Sequence, residues 1–130
     1  MILDTSAVLA ILTREPEAER LVAAMARTDR PLMSAGSAVE LGIVCARREP
    51  VLPRTVYEDW LDLFGVTIVP VDADQVRLAW AAFEAYGKGR HPAGLNFGDC
   101  FAYALARQRG LPLLFKGADF SRTDIATVAY

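Results

Sequence analysis

Short apolar segments alternate with helical segments along the whole chain of 130 residues. Four of them, residues 1–3, 31–33, 66–71 and 111–115, have the length and composition of buried strands. Residues 125–128 are a candidate for a short last strand. The segments between them carry apolar residues at helical spacing. This alternation predicts an α/β fold with about five mainly parallel strands in one sheet and helices on both of its faces.

The length and composition fit a single globular domain over residues 1–130. Hydrophobic residues make up 53% of the chain, which is slightly high for so small a domain and suggests that a partner covers some apolar surface. Trp60, Trp80 and the phenylalanines look like core residues. Cys45 and Cys100 lie far apart in helical apolar patterns, as expected of buried free thiols in a reducing compartment.

We predict a cytoplasmic protein without a membrane segment. No apolar stretch approaches the roughly 20 residues that span a bilayer. The N-terminus begins directly with a strand-like run and shows no positively charged leader region.

Four acidic residues stand where this fold would bring them to one edge of the sheet. Asp4 directly follows the first strand and Asp119 shortly follows the fourth, so both belong to the carboxyl edge of a parallel sheet. Glu40 and Asp99 fall in helical segments that can face the same edge. Carboxylates gathered in one pocket repel each other unless a cation holds them. The pattern therefore indicates a hard divalent metal and chemistry on phosphate.

Each acid also has a simpler interpretation. Asp99 could serve only as a helix-terminal acid, and a lone Glu40 could be solvated. Asp119 is the weakest of the four because aspartates are common in turns, and Asp124 is an alternative fourth acid.

Neighbouring polar residues could support the site. Thr5 or Ser6 is expected to cap the first helix, and the hydroxyls of both could orient the Asp4 carboxylate or a water on the metal. Asn96 is expected either to cap the helix that carries Asp99 or to hold the carboxylate of that residue. The third helix is expected to start at Ser37.

The net charge of −2 and the pI of about 5.4 provide no overall basic field for nucleic acid. An RNA ligand would therefore need local cations near the metal. The candidates are Lys88 and Arg90, in the loop before Asp99, and Lys116, after the fourth strand, although each could also be ordinary solvated charge. The only histidine, His91, lies in the same loop, so a mechanism with two histidines is not available.

Here the sequence resembles the PIN-domain ribonucleases, in particular the VapC-type toxins of bacterial toxin–antitoxin pairs. The resemblance is carried in order by MILDTSA at 1–7, VE at 39–40, LNFGDCFAYALA at 95–106 and LLFKG at 113–117 followed by DF at 119–120. It implies a sheet of about five parallel strands and Mg²⁺ or Mn²⁺ bound by four acids: Asp4, Glu40, Asp99 and Asp119. Relatives often carry two acids together after the fourth strand, whereas here Ala118 precedes the acid.

The resemblance further implies a metal-dependent endoribonuclease that cleaves transfer or ribosomal RNA, forms a homodimer and is neutralised by a VapB-type antitoxin. Mg²⁺ keeps several waters, lowers the pKa of a bound water and stabilises charge on the scissile phosphate. Asp4 and Asp99 would bind it most directly, with Glu40 and Asp119 acting through water or on a second ion. The implied products carry a 5′-phosphate and a 3′-hydroxyl.

Two alternatives remain open at this point. A phosphatase that uses Asp4 as a covalent nucleophile would usually have a second acid two residues later, where this chain has Ser6. A degenerate PIN domain that only binds RNA or protein would fail to bind Mn²⁺ and to cleave RNA.

Overall fold

Four short parallel strands form the sheet in the computed structural model, which describes all residues 1–130. The strand order is β3-β2-β1-β4 and every pairing is parallel. The strands are β1 Ile2–Leu3, β2 Leu32–Ser34, β3 Thr67–Val69 and β4 Leu113–Leu114. The predicted strand at 125–128 contributes only an isolated parallel bridge between Thr127 and Leu113. The chain therefore adds a fifth, rudimentary position beside β4.

Six helices cover the two faces of this sheet. They are α1 Thr5–Leu12, α2 Ala18–Met25, α3 Ala35–Arg47, α4 Arg54–Leu63, α5 Ala73–Tyr86 and α6 Phe97–Arg109. Successive strand residues point to opposite faces, so Ile2 joins a core with α5 and α6, whereas Leu3 joins a core with α1 to α4. The predicted α/β class with helices on both faces is confirmed.

Two helices begin at residues other than those expected. Asp4 itself caps α1, because its carboxylate accepts a hydrogen bond from the Ser6 backbone N–H at 2.9 Å, where Thr5 or Ser6 was the expected cap. Ser34 caps α3 in place of Ser37, since β2 runs into the helix without a linker and the Ser34 hydroxyl accepts from Gly36 N–H. In both places the helix therefore begins within two residues of the end of the preceding strand.

The aromatic residues do not all belong to the core. Trp60 is buried in the core beside α1 to α4, but Trp80 is 66% exposed and Phe97 is 79% exposed. The prediction that all of them are core residues is therefore wrong. The reason is geometric: no further helix lies outside α5 and α6, so their outward faces stay uncovered. Cys45 and Cys100 are free and buried, as predicted.

None of the six helices combines the length and the hydropathy that a membrane span requires.

Candidate active site

Asp4 lies at the carboxyl end of β1 and is only 3% exposed. Its Oδ2 accepts hydrogen bonds from the backbone N–H of Ser6 at 2.9 Å and from the Ser6 hydroxyl at 2.5 Å. Its Oδ1 is buried without any hydrogen-bond partner. Burial raises the pKa of Asp4, and the charge of Glu40 adds to the increase. A buried carboxylate oxygen without a protein partner is costly, so this atom is the point where the site best fits a cation.

Ser6 joins Asp4 to the strand on its other side. While its hydroxyl donates to Asp4, its oxygen accepts a hydrogen bond from the Lys116 backbone N–H at 2.9 Å. The Asp4 backbone N–H also donates to the Leu114 carbonyl at 3.0 Å. The carboxyl ends of β1 and β4 are therefore joined by hydrogen bonds next to the Asp4 carboxylate.

Glu40 reaches this edge from α3. The Thr5 hydroxyl lies 2.7 Å from Glu40 Oε2 and 3.1 Å from the Ser37 carbonyl oxygen, and with one hydrogen it donates to one of them at a time. On the other side Glu40 packs against Gly98 of α6, where an added Cβ would lie 2.0 Å from Glu40 Oε1. Only glycine allows the carboxylate to approach the helix backbone this closely. The sequence reasoning missed Gly98, although a glycine in the first turn of an apolar helix signals such an approach.

Asp99 is held by the first turn of α6. Asn96 caps this helix by accepting from the Asp99 N–H at 3.0 Å, and Asp99 Oδ2 accepts from the Asn96 N–H at 2.7 Å. Both roles expected of Asn96 are thus combined in a capping box, and α6 begins at Phe97, before Asp99. Burial raises the pKa of Asp99 to about 7, despite the lowering effect of this hydrogen bond.

The other three acids also affect the Asp99 carboxyl. The charges of Asp4, Asp119 and Glu40 all raise the pKa of Asp99 further, in that order of effect. The charges of the other three acids therefore act on Asp99 across this edge of the sheet. Asp119 is exposed, at the start of a 3₁₀ turn over Phe120–Arg122.

Asp124 lies in a different environment. Its carboxylate accepts a hydrogen bond from the Tyr103 hydroxyl at 2.7 Å and forms an ion pair with Arg107 at 3.1 Å. These two contacts from α6 lower the pKa of Asp124. Of the two alternative fourth acids, Asp119 acts electrostatically on Asp99, whereas the Asp124 carboxylate is occupied by Tyr103 and Arg107.

The acids do not form a ready-made cage, because no three aspartate, glutamate, histidine or cysteine side chains stand close enough together to hold an ion. Each of the more buried carboxylates faces a donor of the protein instead: Ser6 for Asp4, Thr5 for Glu40 and Asn96 for Asp99. The residues nevertheless fit a hard divalent cation. All the available ligands are oxygens, one of them is buried without a partner, and their charges oppose one another.

The three predicted RNA-contacting cations differ in their surroundings. The Lys116 ammonium pairs with Glu15 and lies 3.5 Å from Glu17 Oε2, so two acids from the turn between α1 and α2 already neutralise it. Lys88 and Arg90 are exposed and form no ion pair. The Arg90 guanidinium lies over the Phe83 ring, 5.9 Å from its centre. No local pattern indicates the pairing of Lys116, because its partner Glu15 is 101 residues away.

Comparisons with known proteins agree with this geometry. The family model of the PIN domain matches residues 1–126. The chain is 50% identical over 129 residues to ribonuclease VapC30 of Mycobacterium tuberculosis, covering 99% of this chain and 98% of that protein. It is 50% identical over 128 residues to ribonuclease VapC of Mycolicibacterium smegmatis, covering 98% and 99% respectively.

Two solved structures share the fold at lower identity. A toxin–antitoxin complex from Klebsiella pneumoniae gives a TM-score of 0.72 at 17% identity, over 99% of this chain and 97% of that one. VapC20 of Mycobacterium tuberculosis, described as a toxin that cleaves the sarcin–ricin loop, gives 0.74 at 21% identity, over 98% and 97%. From the full-length sequence matches and the shared fold, the chain belongs to the PIN-domain family, beside the VapC ribonucleases.

Proposed function

We propose that this chain is a metal-dependent endoribonuclease toxin of the VapC type, which a cognate antitoxin neutralises. Identity of 50% over nearly the whole length to VapC ribonucleases supports the activity. The observation that carries the site assignment is the buried, unpartnered Oδ1 of Asp4, beside an Asp99 whose pKa is raised to about 7. A toxin–antitoxin complex among the structures with the same fold supports an antitoxin partner.

Asp4 and Asp99 would hold Mg²⁺ or Mn²⁺, with Glu40 and Asp119 completing the anionic surface. Such an ion supplies an activated water for attack on phosphorus and stabilises negative charge on the phosphate. The chain's own contribution is to fix the ligands: donors within the first turns of α1 and α6 hold one oxygen of Asp4 and one of Asp99. Orienting groups in this way fixes reacting geometry before the substrate arrives. Cleavage leaves a 5′-phosphate and a 3′-hydroxyl.

The substrate class that fits best is a loop of transfer or ribosomal RNA, where unstacked bases are accessible. VapC20, which shares the fold, is described as cleaving a ribosomal loop. The protein acts in the cytoplasm as a homodimer in this proposal. The site of cleavage is found by inducing the chain in cells and sequencing the new 5′ ends of cellular RNA.

The catalytic assignment is tested with Asp4→Asn and Asp99→Asn, which keep a hydrogen-bond acceptor at each position and remove its charge. Both variants should lose RNA cleavage in the presence of Mn²⁺ and should stop inhibiting growth. Asp124→Asn is the matched control, because that carboxylate pairs with Tyr103 and Arg107. Cleavage by Asp99→Asn at a rate near that of the unmodified chain would refute the assignment. If neither the unmodified protein nor any variant cleaved RNA, but all of them bound it, the chain would instead be an RNA-binding module.

A further inference from the structure

Lys116 lies two residues beyond β4, and its ammonium is held by two acids that the candidate site does not use. It pairs with Glu15 and lies 3.5 Å from Glu17 Oε2. These three side chains are only 27–34% exposed, whereas every side chain in the other ion pairs is at least 43% exposed. Ion pairs shielded from solvent are screened less by salt. The three residues therefore form a clasp between β4 and the turn that joins α1 to α2.

The turn between α1 and α2 fixes the two acids of this clasp. Arg14 has a left-handed backbone with φ 54°, which residues other than glycine rarely adopt and keep only where their surroundings impose it. The Thr13 hydroxyl lies 3.2 Å from Glu15 Oε1. Glu17 Oε2 is buried without a hydrogen-bond donor, and its only ion-pair partner is Lys116. The lysine thus has defined partners on a constrained turn.

The backbone of the same lysine is linked to the candidate active site. The Lys116 N–H donates to the Ser6 hydroxyl oxygen at 2.9 Å, and the Ser6 hydroxyl donates to Asp4 Oδ2 at 2.5 Å. One residue therefore contacts the α1–α2 turn through its side chain and Ser6 through its N–H. A shift of the Lys116 backbone would displace the donor that orients the Asp4 carboxylate.

The clasp also anchors the segment that carries the fourth acid. Asp119 lies three residues after Lys116, and its own side chain makes no capping hydrogen bond. On its other side Phe120 is buried against Phe115, with the ring centres 5.1 Å apart. Between the two anchors lies Gly117, with φ 117°, which has no side chain to hold the chain in place. The position of Asp119 therefore depends on Lys116 and Phe120.

We propose that Lys116 is a positioning residue of the candidate active site, whose clasp fixes the backbone that orients Asp4 and carries Asp119. The inference rests on the proposed ribonuclease function. It gives this lysine a role in place of the RNA contact expected from the sequence. Groups that orient metal ligands from behind affect metal affinity or activity when they are removed.

The test compares two changes that open the same clasp and have opposite effects on charge. Lys116→Met removes the cation, whereas Glu15→Gln together with Glu17→Gln removes both anions. The probe is a fluorescein-labelled RNA that spans the cleavage site found by 5′-end sequencing. Each change should lower the single-turnover cleavage rate at saturating RNA by about tenfold in Mn²⁺. All three substitutions together should cost no more than the larger single effect, because the residues act as one unit.

Binding of Mn²⁺ without RNA, measured by isothermal titration calorimetry, is a readout independent of cleavage. Lys116→Met should weaken Mn²⁺ binding by about three- to tenfold, although loss of a nearby positive charge would by itself strengthen it. The two glutamine substitutions should weaken it as well. Lys116→Arg keeps a cation that can reach both acids, and it should retain the cleavage rate and Mn²⁺ affinity of the unmodified chain.

Arg54→Met is the matched control. It breaks the exposed ion pair between Arg54 and Glu58 on α4 and should change neither measurement. Circular dichroism checks that each variant is folded. If Lys116→Met does not fold, the cleavage rate of the two glutamine substitutions at saturating RNA decides the outcome by the same criterion.

The proposal is overturned if Lys116→Met binds Mn²⁺ more tightly or cleaves saturating RNA at the rate of the unmodified chain. It is also overturned if Lys116→Met weakens RNA binding, the glutamine substitutions strengthen it and neither changes the rate at saturation, since the lysine would then be an RNA contact. An unmodified chain that neither binds Mn²⁺ nor cleaves RNA contradicts the ribonuclease proposal itself. An active chain whose clasp variants match it contradicts only the role of Lys116.

Discussion

Removing the charge of Asp99 should stabilise the metal-free protein. Asp99 is 9% exposed, and burial together with the charges of Asp4 and Asp119 raises its pKa from 3.8 to about 7. The folded chain therefore holds a proton at this position more tightly than the unfolded chain does. Between those two pH values, rising pH removes stability from the folded state, because the unfolded state releases its proton first.

The size of the effect follows from the same change in pKa. Each tenfold change in proton affinity is worth about 1.4 kcal/mol, so ionising Asp99 costs the folded state at most about 4 kcal/mol. Partial exposure at the edge of the sheet lets solvent screen the charge, so we expect about 1–2 kcal/mol. Asparagine keeps an acceptor for the Asn96 N–H, which donates at 2.7 Å, and so the capping box survives the change.

The measurement is urea unfolding in EDTA over a pH series. Asp99→Asn should be more stable than the unmodified chain by about 1–2 kcal/mol near pH 8, and the two should converge below about pH 4, where the aspartate is protonated. Adding Mn²⁺ near pH 8 should stabilise the unmodified chain and reduce or reverse the difference, because a ligand that binds only the folded state raises its stability. An Asp99→Asn protein that is less stable in EDTA near pH 8, or a difference that does not change with pH, would refute the electrostatic reasoning.

Three further substitutions test the supporting contacts. Gly98→Ala should reduce RNA cleavage by about tenfold or more in single-turnover assays with the fold intact by circular dichroism, because its Cβ would displace Glu40. Ser6→Ala should lower the cleavage rate by roughly tenfold without changing RNA affinity, since the Asp4 carboxylate then keeps only the hydrogen bond from the backbone N–H at position 6. Lys116→Met should lower the urea midpoint of unfolding slightly, with the loss diminishing at high salt, because it leaves two glutamates without their partner.

The sheet, and the edge at which its strands end, could be predicted because they depend on strong local patterns. Apolar strand segments alternating with amphipathic helices leave few arrangements besides a covered parallel sheet, and the ends of such strands meet at one edge. Asp4 and Asp119 follow from that rule alone. The helix starts were harder, because serine, threonine, aspartate and asparagine are all good caps. The choice between Ser34 and Ser37 as the cap of α3 depends on where β2 ends. The end of a strand of only three residues is difficult to locate from sequence.

What the sequence could not show are the contacts made across long separations. Lys116 looks like a free cation beside the site until the fold brings Glu15 against it from the turn after α1. Phe97 looks like a core residue because its helix is otherwise apolar. Whether it is covered depends on α5 and on the absence of any helix outside it. In both cases the error concerns which other element of the fold a side chain contacts. Local sequence patterns carry little information about contacts between distant segments.

The two most buried acids of the site are also part of helix starts, and this dual use explains how so small a fold can position them. Asp4 caps α1 and Asp99 closes the capping box of α6, so backbone N–H groups fix one oxygen of each carboxylate. For Asp4 the other oxygen is left buried and unpartnered. Folding thus orients these two carboxylates with the same hydrogen bonds that start the helices. Alanine at either position would remove a cap, at a cost of about 1 kcal/mol, together with the charge. Asparagine removes the charge alone, and loss of cleavage in the asparagine variants is therefore evidence about chemistry, separate from the stability of the fold.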